Sequence, residues 1–321
     1  MAKAFPGGVR ALDGVGCTVP AGELVALVGA NGSGKTTLLR VLAGIVAPDA
    51  GAVEVLGLRP RQDRRALRAR VGYAGQDAAL DPELTGWETL RLFHALLGLH
   101  DGGREERLAG VVHDYGLMEF QSRRVAACSG GQRQRLHLAL AALHSPALLL
   151  LDEPGASLDP EGRRELWARL AAWRDAGRTV LAATHDLADA AARCDRVLLL
   201  HAGRVLADGA PAALVAAHAR ARTVVTLAGP PGAEGGALRA ALAALPGAPE
   251  VALDRQTLTL WRDRNPPGAE PALEVLAAHG VACRGFERAD PDLAGAFFRL
   301  TGAAWTEPAA GSGRGKGRTR P

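Results

Sequence analysis

The sequence has little cysteine and no apolar run long enough to cross a membrane. Its four cysteines are spread along the chain, at Cys17, Cys128, Cys194 and Cys283. Because none belongs to a C-x-x-C pair, the sequence indicates neither a disulfide framework nor a zinc site. The most apolar region, residues 136–151, is interrupted by His137, His144 and Pro146 before it reaches the length of a bilayer span. The chain also begins without the charged and apolar segments of a secretory signal, so we expect a soluble chain in the reducing cytosol.

Excess positive charge is confined to the C-terminal end of the chain. Four basic side chains stand there, Arg314, Lys316, Arg318 and Arg320. No acid follows Glu307 and the formal net charge of the whole chain is +4, so the remainder sums to about zero. We expect residues 305–321 to form a disordered basic tail rather than a lipid or nucleic-acid contact, and we expect no nucleic-acid partner.

A glycine-rich loop separates an apolar strand from a helix near the start of the chain. The strand pattern spans residues 24–28, and the loop that follows it matches G-x-x-x-x-G-K-[ST]. Glycines let successive N–H groups converge on one point, and the helix directs its positive dipole end there, which suits a phosphate chain. Lys35 would meet the β- and γ-phosphates, and Thr36 would place its hydroxyl on Mg²⁺.

The loop therefore predicts a site for a nucleoside triphosphate with magnesium. The alternative, a glycine-rich turn without a ligand, is disfavoured by the strand and helix on either side. The residues predicted to bind the nucleotide are Gly29, Asn31, Gly32, Ser33, Gly34, Lys35, Thr36 and Thr37.

The residues before the loop are predicted to form an antiparallel β flap. Strand-like segments at 9–12 and 15–19 flank an Asp13-Gly14 turn. Phe5 is the only aromatic residue before the loop, and it is either a surface side chain or the ring on which an adenine stacks. After the loop helix, residues 51–57 are predicted to form a further strand.

Polar residues stand at the ends of three apolar strands. Asp152 and Glu153 follow the run at 147–151, whose composition is typical of a parallel strand buried on both faces. Ligands bind at the carboxyl ends of such strands in an open α/β sheet, so the two carboxylates indicate a Mg²⁺ ligand and a catalytic base. His185 ends the next apolar strand, beside the expected γ-phosphate, and this position favours a functional role over a surface or core histidine. Gln76 stands at the end of an earlier strand.

A second glycine turn, Ser129-Gly130-Gly131-Gln132, opens another helix. The positive end of that helix would attract an anion. Taken alone, however, the turn is more typical of a capped helix start than of a ligand site. It lies in a stretch of helical periodicity that predicts a helical insertion over about residues 84–146.

The composition changes near residue 223, which predicts two domains. Residues 1–222 alternate apolar strands with helices, as in an α/β domain. Residues 223–304 have the order βαββαβ, which suggests a ferredoxin-like α+β unit followed by a helix at 293–301. No catalytic constellation occurs in this second unit, so a regulatory or docking role is favoured.

The first 220 residues resemble the nucleotide-binding subunit of ATP-binding cassette (ABC) transporters. Six motifs occur in the family's order: the loop with Lys35 and Thr36, then Gln76, Ser129 to Gln132, Asp152-Glu153, Asp159 and His185. The resemblance implies a P-loop NTPase core of RecA-like fold that binds and hydrolyses ATP with Mg²⁺. The short insertion, residues 123–140 and the ending at 297–302 are similar to the drug- and polymer-export branch, the type-2 exporters.

The resemblance also implies a role for each residue at the strand ends. Thr36, Gln76 and Asp152 would hold Mg²⁺. Gln76 would also sense the γ-phosphate and relay its state to a membrane subunit. Glu153 would polarise the attacking water, and His185 would contact the γ-phosphate.

The family further implies partners. The Ser129 turn would serve the ATP of a second copy, with Asp159 contributing to nucleotide binding, so that two chains close head to tail over two nucleotides. An integral membrane permease would carry the solute and hold the ATPase on the cytoplasmic face of the membrane. The chain starts about one strand short of the family pattern, which weakens the adenine-stacking role of Phe5.

Two other classes fit the sequence less well. Soluble cassette ATPases of DNA repair or translation generally have a second cassette, a long coiled-coil arm or zinc-binding cysteines, and the sequence shows none of these. An unrelated P-loop kinase or GTPase would not explain Ser129 to Gln132 or His185. We therefore expect an ATPase that energises export through a separate membrane subunit.

Overall fold

The computed structural model describes residues 1–76, 80–99, 103–230, 235–245, 250–254, 256–262 and 269–301. Its strands are β1 (Lys3–Phe5), β2 (Val9–Leu12), β3 (Leu24–Val28), β4 (Val71–Ala74), β5 (Leu148–Asp152), β6 (Thr179–Thr184), β7 (Arg196–His201), β8 (Arg204–Gly209), β9 (Ala221–Leu227), β10 (Glu250–Leu253), β11 (Thr257–Arg262) and β12 (Cys283–Ala289). Its α-helices are α1 (Lys35–Leu42), α2 (Arg64–Arg68), α3 (Gly86–Leu96), α4 (Arg104–Asp114), α5 (Gly130–Ala142), α6 (Pro160–Asp175), α7 (Leu187–Arg193), α8 (Pro211–His218), α9 (Gly235–Ala243), α10 (Ala269–Ala278) and α11 (Leu293–Thr301). The tail predicted at 305–321 lies outside the described residues.

A six-stranded sheet forms the centre of the N-terminal unit, which comprises β1 to α8. Its order is β4-β5-β6-β3-β7-β8, and the first five strands are parallel while β8 pairs antiparallel with β7. Every residue of β3, β5 and β6 is buried, as expected for apolar runs covered on both faces. The parallel arrangement brings the carboxyl ends of β3, β4, β5 and β6 to one edge, and the predicted α/β core is confirmed.

Two hydrophobic cores cover the two faces of this sheet. One contains Leu38 and Leu39 of α1 and Leu67 of α2. The other contains Trp167 of α6 and Leu187 of α7, with residues from α5 and α8. Helices on both faces leave the strand ends accessible only at the edge where the loops emerge.

The predicted β flap exists, but its strands differ from those expected. β1 pairs antiparallel with β2, with Phe5 opposite Val9, whereas residues 15–19 are not a strand. The reversal occurs at Gly7 and Gly8, whose φ angles are 89° and 80°, rather than at Asp13-Gly14. Glycine enters this left-handed region without strain, so the glycine pair supplies the turn.

The strand predicted at 51–57 is also wrong. The structure contains only an isolated bridge between Val55 and Leu58. Leu56 and Gly57 lie between them with φ angles of 54° and 76°, so the chain reverses there instead of continuing as a strand.

The helical insertion predicted over residues 84–146 contains α3, α4 and α5 and has a core of its own. Leu90, Leu108, Val112, Phe120 and Leu136 are buried together there. Thr85 and Glu88 form a capping box at the start of α3, which satisfies the free N–H groups of its first turn. The insertion therefore has a core of its own, while α5 also packs on the sheet through Leu138 and Ala141.

The C-terminal unit, β9 to β12, has the predicted ferredoxin-like arrangement. Its sheet is antiparallel with the order β10-β11-β9-β12. Alternate residues of β9 and β11, including Val225, Leu227, Leu258 and Leu260, pack with α9 and α10 to form its core. The chain order βαββαβ thus gives the split βαβ sandwich.

Helix α11 follows the C-terminal unit in sequence but completes the core of the N-terminal unit. Leu293 and Phe297 are 1% and 2% exposed and pack with Leu187 of α7 and Leu214 of α8. On its other side, the ring of Phe298 stacks on Trp261 of β11, with centroids 3.9 Å apart and an interplanar angle of 9°. The helix therefore joins the two units, and the domain boundary after residue 222 stays a prediction.

We expect a chain that ends at Arg222 to lose stability in its N-terminal unit. It lacks Leu293 and Phe297, and burial of such side chains contributes about 1.5–3 kcal/mol each. Amide hydrogen exchange of β5 and β6, which reports on the N-terminal unit alone, should be faster than in the full chain. A chain ending at Asp292 is the matched control and should show the same increase, because it lacks only α11 and the residues after it. Unchanged exchange in both would contradict the role of α11 in this core.

Candidate active site

Two glycines of the loop between β3 and α1 pack directly on neighbouring backbone. A Cβ atom at Gly29 would clash with the carbonyl oxygen of Leu200, and one at Gly34 would clash with that of Ala11. Gly34 also has a φ of 108°, which disfavours any other residue. These close approaches hold the loop at the start of α1, whose free N–H groups and positive dipole end favour an anion.

Lys35 places its ammonium group inside this loop. Its side chain is 6% exposed, and Nζ donates a hydrogen bond to the carbonyl oxygen of Gly29 at 2.7 Å. Nζ also lies 3.5 Å from Oε1 of Glu153. A buried ammonium needs such partners, so the lysine is fixed where a phosphate chain would enter the loop.

Asp152 ends β5 with a buried carboxylate that its neighbours compensate only in part. Both carboxylate oxygens are buried and accept no hydrogen bond from the described residues. Burial raises the pKa of Asp152, and the nearby Thr36 hydroxyl and Lys35 ammonium only partly oppose that effect. An orphaned buried carboxylate is costly unless it binds a cation, and oxygen ligands of this kind suit Mg²⁺.

The described residues include no cluster of three or more His, Cys, Asp and Glu able to enclose a metal. A cation at Asp152 would therefore take its other ligands from the Thr36 hydroxyl, substrate phosphates and water, which is the usual arrangement for Mg²⁺ at a nucleotide. The residues present fit magnesium in this role.

Glu153 and His185 meet across neighbouring strands. Oε2 of Glu153 lies 2.7 Å from Nδ1 of His185, and their side chains are 10% and 32% exposed. Glu153 has a φ of 51°, a left-handed conformation that is rare for residues other than glycine and is concentrated at functional sites. Its N–H donates to the carbonyl oxygen of Ala183 at 2.9 Å, which ties the strained residue to β6.

The Ser129 turn lies in a separate cleft of about 490 Å³, together with Ser157 and Asp159. Ser129 and Gln132 form a capping box at the start of α5, with hydrogen bonds of 3.2 Å and 3.0 Å. Asp159 caps α6 by accepting a hydrogen bond from the N–H of Gly162 at 2.7 Å. Two helix starts therefore face the same cleft, and each has its own cap.

Gln134, which the sequence did not single out, connects the helix that begins at the Ser129 turn to the segment after Glu153. Nε2 of Gln134, in the first turns of α5, donates to the carbonyl oxygen of Pro154 at 3.1 Å. Pro154 follows Glu153 directly. In the sequence, the only sign of this role was that Gln134 lies two residues after Gln132 at the start of a helix. That spacing alone does not predict which residue Gln134 contacts.

Gln76 and Phe5 stand apart from these contacts. Gln76 is exposed and lines a cavity of about 400 Å³ with Tyr73, Phe93 and His137. Phe5 is 39% exposed on β1, with the Lys3 ammonium 5.6 Å from its ring centroid. Within the described part of the chain, the polar contacts of Lys35, Glu153 and His185 involve neither residue, and the predicted roles of Gln76 and Phe5 stay predictions.

The parallel sheet, the phosphate loop and the acidic strand end together define a P-loop ATPase. Residues 12–156 match the family model described as ABC transporter. The chain is 36% identical over 297 residues to the daunorubicin resistance ATP-binding protein DrrA3 of Streptomyces coeruleorubidus, covering 92% of each chain. It is 33% identical over 291 residues to the Nod factor export ATP-binding protein I of Rhizobium sp. (strain N33), covering 91% of this chain and 92% of the relative.

Solved structures of similar fold are also ATP-binding domains of ABC transporters. The ATP-binding subunit of an ABC transporter aligns at a TM-score of 0.61 and 32% identity, covering 66% of this chain and 88% of that one. A dimeric post-hydrolysis state of the cassette MJ0796, bound to ADP and Pi, aligns at 0.60 and 27% identity, covering 65% and 94%. The chain belongs to the ABC transporter family, in the branch of the type-2 exporter ATPases, and it is an ATP-binding and ATP-hydrolysing subunit. No helix among the described residues is both long and apolar enough to cross a membrane.

We expect Asp152→Asn to stabilise the protein at neutral pH in the absence of nucleotide and magnesium. The amide keeps the shape of the carboxylate without its charge, and burying a neutral polar group costs less than burying an unpaired charge. Because burial raises the pKa of Asp152, the folded state binds the proton more tightly. The cost of the wild-type carboxylate is therefore present at neutral pH and is lost as the pH falls through the folded pKa.

Urea unfolding at several pH values measures this difference. The advantage of Asp152→Asn should shrink toward acid pH, and a variant less stable than the wild type at neutral pH would contradict an uncompensated carboxylate. Asp159→Asn is the matched control, since its exposed side chain caps a helix and asparagine caps about as well as aspartate.

Proposed function

We propose that Lys35, Asp152, Glu153 and His185 bind and hydrolyse MgATP, and that hydrolysis drives export of a solute through a separate membrane permease. The observation that supports this most strongly is the convergence of one ammonium group and two carboxylates at a single sheet edge. Lys35 and Glu153 are 3.5 Å apart, and Asp152 is buried beside them without a hydrogen bond.

The phosphate loop supplies the binding step. The N–H groups at the start of α1 and the Lys35 ammonium neutralise the charge of the triphosphate. Thr36 and Asp152 would hold Mg²⁺, with Gln76 as a further ligand. When bound, the ion withdraws charge from the phosphoryl oxygens and orients the group to be transferred.

Glu153 supplies the general base. Its carboxylate is 10% exposed, so its interactions with a water molecule are stronger than they would be in bulk solvent. The contact between Oε2 and Nδ1 of His185 fixes the orientation of the carboxylate, and His185 is exposed enough to reach the γ-phosphate. The strained backbone of Glu153 directs the side chain toward the loop.

A second copy of the chain completes each site. The Ser129 turn and Asp159 lie in an exposed cleft that Lys35 does not line. The turn presents the positive dipole end of α5 and the N–H groups of Gly130 and Gly131, which lie outside its capping box. Two copies related head to tail would place this turn on the triphosphate of the partner. The structural neighbours described as dimeric cassettes support this arrangement.

The permease would dock on the apolar side of the helical insertion. Leu92 and Leu96 of α3 and Leu97, the residue that caps its C-terminus, are 44%, 71% and 37% exposed. This concentration of apolar surface is typical of an interaction site. Leu97 lines the same cavity as Gln76, so a partner there would be close to the residue proposed to sense the nucleotide. This contact would make the chain a peripheral protein on the cytoplasmic face of the membrane.

We expect Glu153→Gln to retain MgATP and to stop its turnover. The amide is nearly isosteric with the carboxylate but cannot accept the proton of water, and loss of a general base lowers kcat by about 10²–10⁴-fold. Steady-state ATPase assays and filter binding of labelled ATP separate turnover from retention. Wild-type turnover in this variant would remove Glu153 from the mechanism.

We expect two defective chains to restore one site when they are mixed. Lys35→Ala disables the phosphate loop, and Ser129→Arg fills the glycine turn with a bulky cation, so neither variant alone should dimerise with MgATP. A heterodimer would combine the intact loop of one with the intact turn of the other. Light scattering should detect dimer only in the mixture, with Glu153→Gln added to both chains to prevent hydrolysis.

The control for the mixing experiment is Glu153→Gln with both other positions intact, which should dimerise with MgATP. A control that dimerises beside a mixture that does not would argue against a site shared between chains. Strong dimerisation of the Ser129→Arg parent would show that the turn does not contact the nucleotide of the partner.

A further inference from the structure

The turn between β7 and β8 supports the phosphate loop from behind. Its two central residues, Ala202 and Gly203, have φ angles of 46° and 75°, as in a tight two-residue hairpin. The N–H of Gly203 donates to the carbonyl oxygen of Ser33 at 2.9 Å. At the other end of the loop, Gly29 packs so closely on Leu200 of β7 that no Cβ fits between them.

The same turn is anchored on the flap. The N–H of Asp13 donates to the carbonyl oxygen of Gly203 at 2.8 Å. The carboxylate of Asp13 accepts hydrogen bonds from Arg204 at 2.6 Å and from Arg10 at 2.8 Å, and these partners lower its pKa. The β7–β8 turn therefore contacts the phosphate loop through Gly203 N–H and the flap through the Gly203 carbonyl.

Helix α11 reaches the base of this turn. The ring of Phe297 meets the ring of His201, the last residue of β7, edge to face with centroids 5.9 Å apart. One residue further along α11, Phe298 stacks on Trp261 of the C-terminal sheet. At the start of the helix, Asp292 pairs through both carboxylate oxygens with Arg222 of β9.

We propose that α11, through His201 and the β7–β8 turn, positions the phosphate loop for its nucleotide. A continuous set of contacts runs from Phe297 to His201, along the turn to Gly203, and from Gly203 to Ser33. The loop must hold its N–H groups in one orientation before it can bind phosphate, and each fixed peptide lowers the ordering cost of binding. Phe297, His201 and Gly203 are positioning residues, since they act on the loop from the side away from the ligand.

This inference rests on the proposed ATP site and makes a specific kinetic prediction. Loosening the loop weakens ground-state and transition-state binding alike, which raises KM and leaves kcat unchanged. A loss of folding alone would instead reduce the active fraction, and would lower kcat without changing KM.

Phe297→Ala in the full chain tests the proposal. We expect the dissociation constant for a fluorescent ATP analogue and the KM for MgATP to rise about fivefold to tenfold, with kcat within about twofold of wild type. His201→Ala provides the same test from the other side of the ring contact, at a partly exposed residue. The double variant should bind the ATP analogue about as tightly as the single variant with the lower affinity, because both changes break the same contact between Phe297 and His201.

The matched control is Leu293→Ala, which removes a buried side chain from the first turn of the same helix. It should lower the melting temperature comparably while leaving the dissociation constant near that of the wild type. An equal rise in the dissociation constant for Leu293→Ala and Phe297→Ala would overturn the proposal, as would unchanged binding in both Phe297→Ala and His201→Ala. If the wild type itself failed to bind the analogue, the proposed function would fail first, which distinguishes the two results.

Discussion

The candidate active site depends on keeping charge buried at one edge of the central sheet. Asp152, Glu153 and Lys35 are almost fully enclosed, although each would be better solvated in water. The Lys35 to Glu153 pair, the Glu153 to His185 contact and the hydrogen bond from Lys35 to the Gly29 carbonyl offset part of that cost. A buried ion pair of this kind adds little to stability, so folding alone does not explain its presence. The parallel sheet is what allows these groups to approach, because it ends β5 and β6 side by side.

Much of this arrangement could be predicted from the sequence because it depends on local chemistry. The apolar runs that became β3, β5 and β6 are long and uninterrupted, so their burial and parallel pairing follow from composition. Because β3 and β5 are parallel, the glycine loop and the acids at the end of β5 lie at the same edge of the sheet for any conformation of the connecting loops. The ferredoxin-like order of the C-terminal unit was equally readable from the alternation of its elements.

The errors occurred where two local signals competed or where the partner was distant. Two glycine-containing turns were available near the start of the chain, and the one with two glycines, at Gly7 and Gly8, was adopted. The orphaned carboxylate of Asp152 could not be foreseen, because satisfaction of a side chain depends on neighbours from other strands. The sequence predicted a helix at 293–301, but it did not predict which unit that helix would contact.

The position of α11 changes how the two units of the chain relate to each other. A unit tethered by one flexible linker contributes little to the stability of its neighbour. Here the chain leaves the N-terminal unit at β9, forms the C-terminal sheet, and returns through α11 to the first core. Ring contacts on both sides of that helix, at His201 and at Trp261, make it a shared structural element of both units.

The left-handed backbone of Glu153 carries a consequence for how this chain tolerates change. A glutamate held at a φ of 51° costs roughly 1–3 kcal/mol of folding free energy. Glycine at this position would remove that backbone cost. The same change would remove the carboxylate that pairs with Lys35 and His185. Backbone preference and side-chain contacts therefore oppose each other at this position, and a change to glycine would relieve the first only by losing the second.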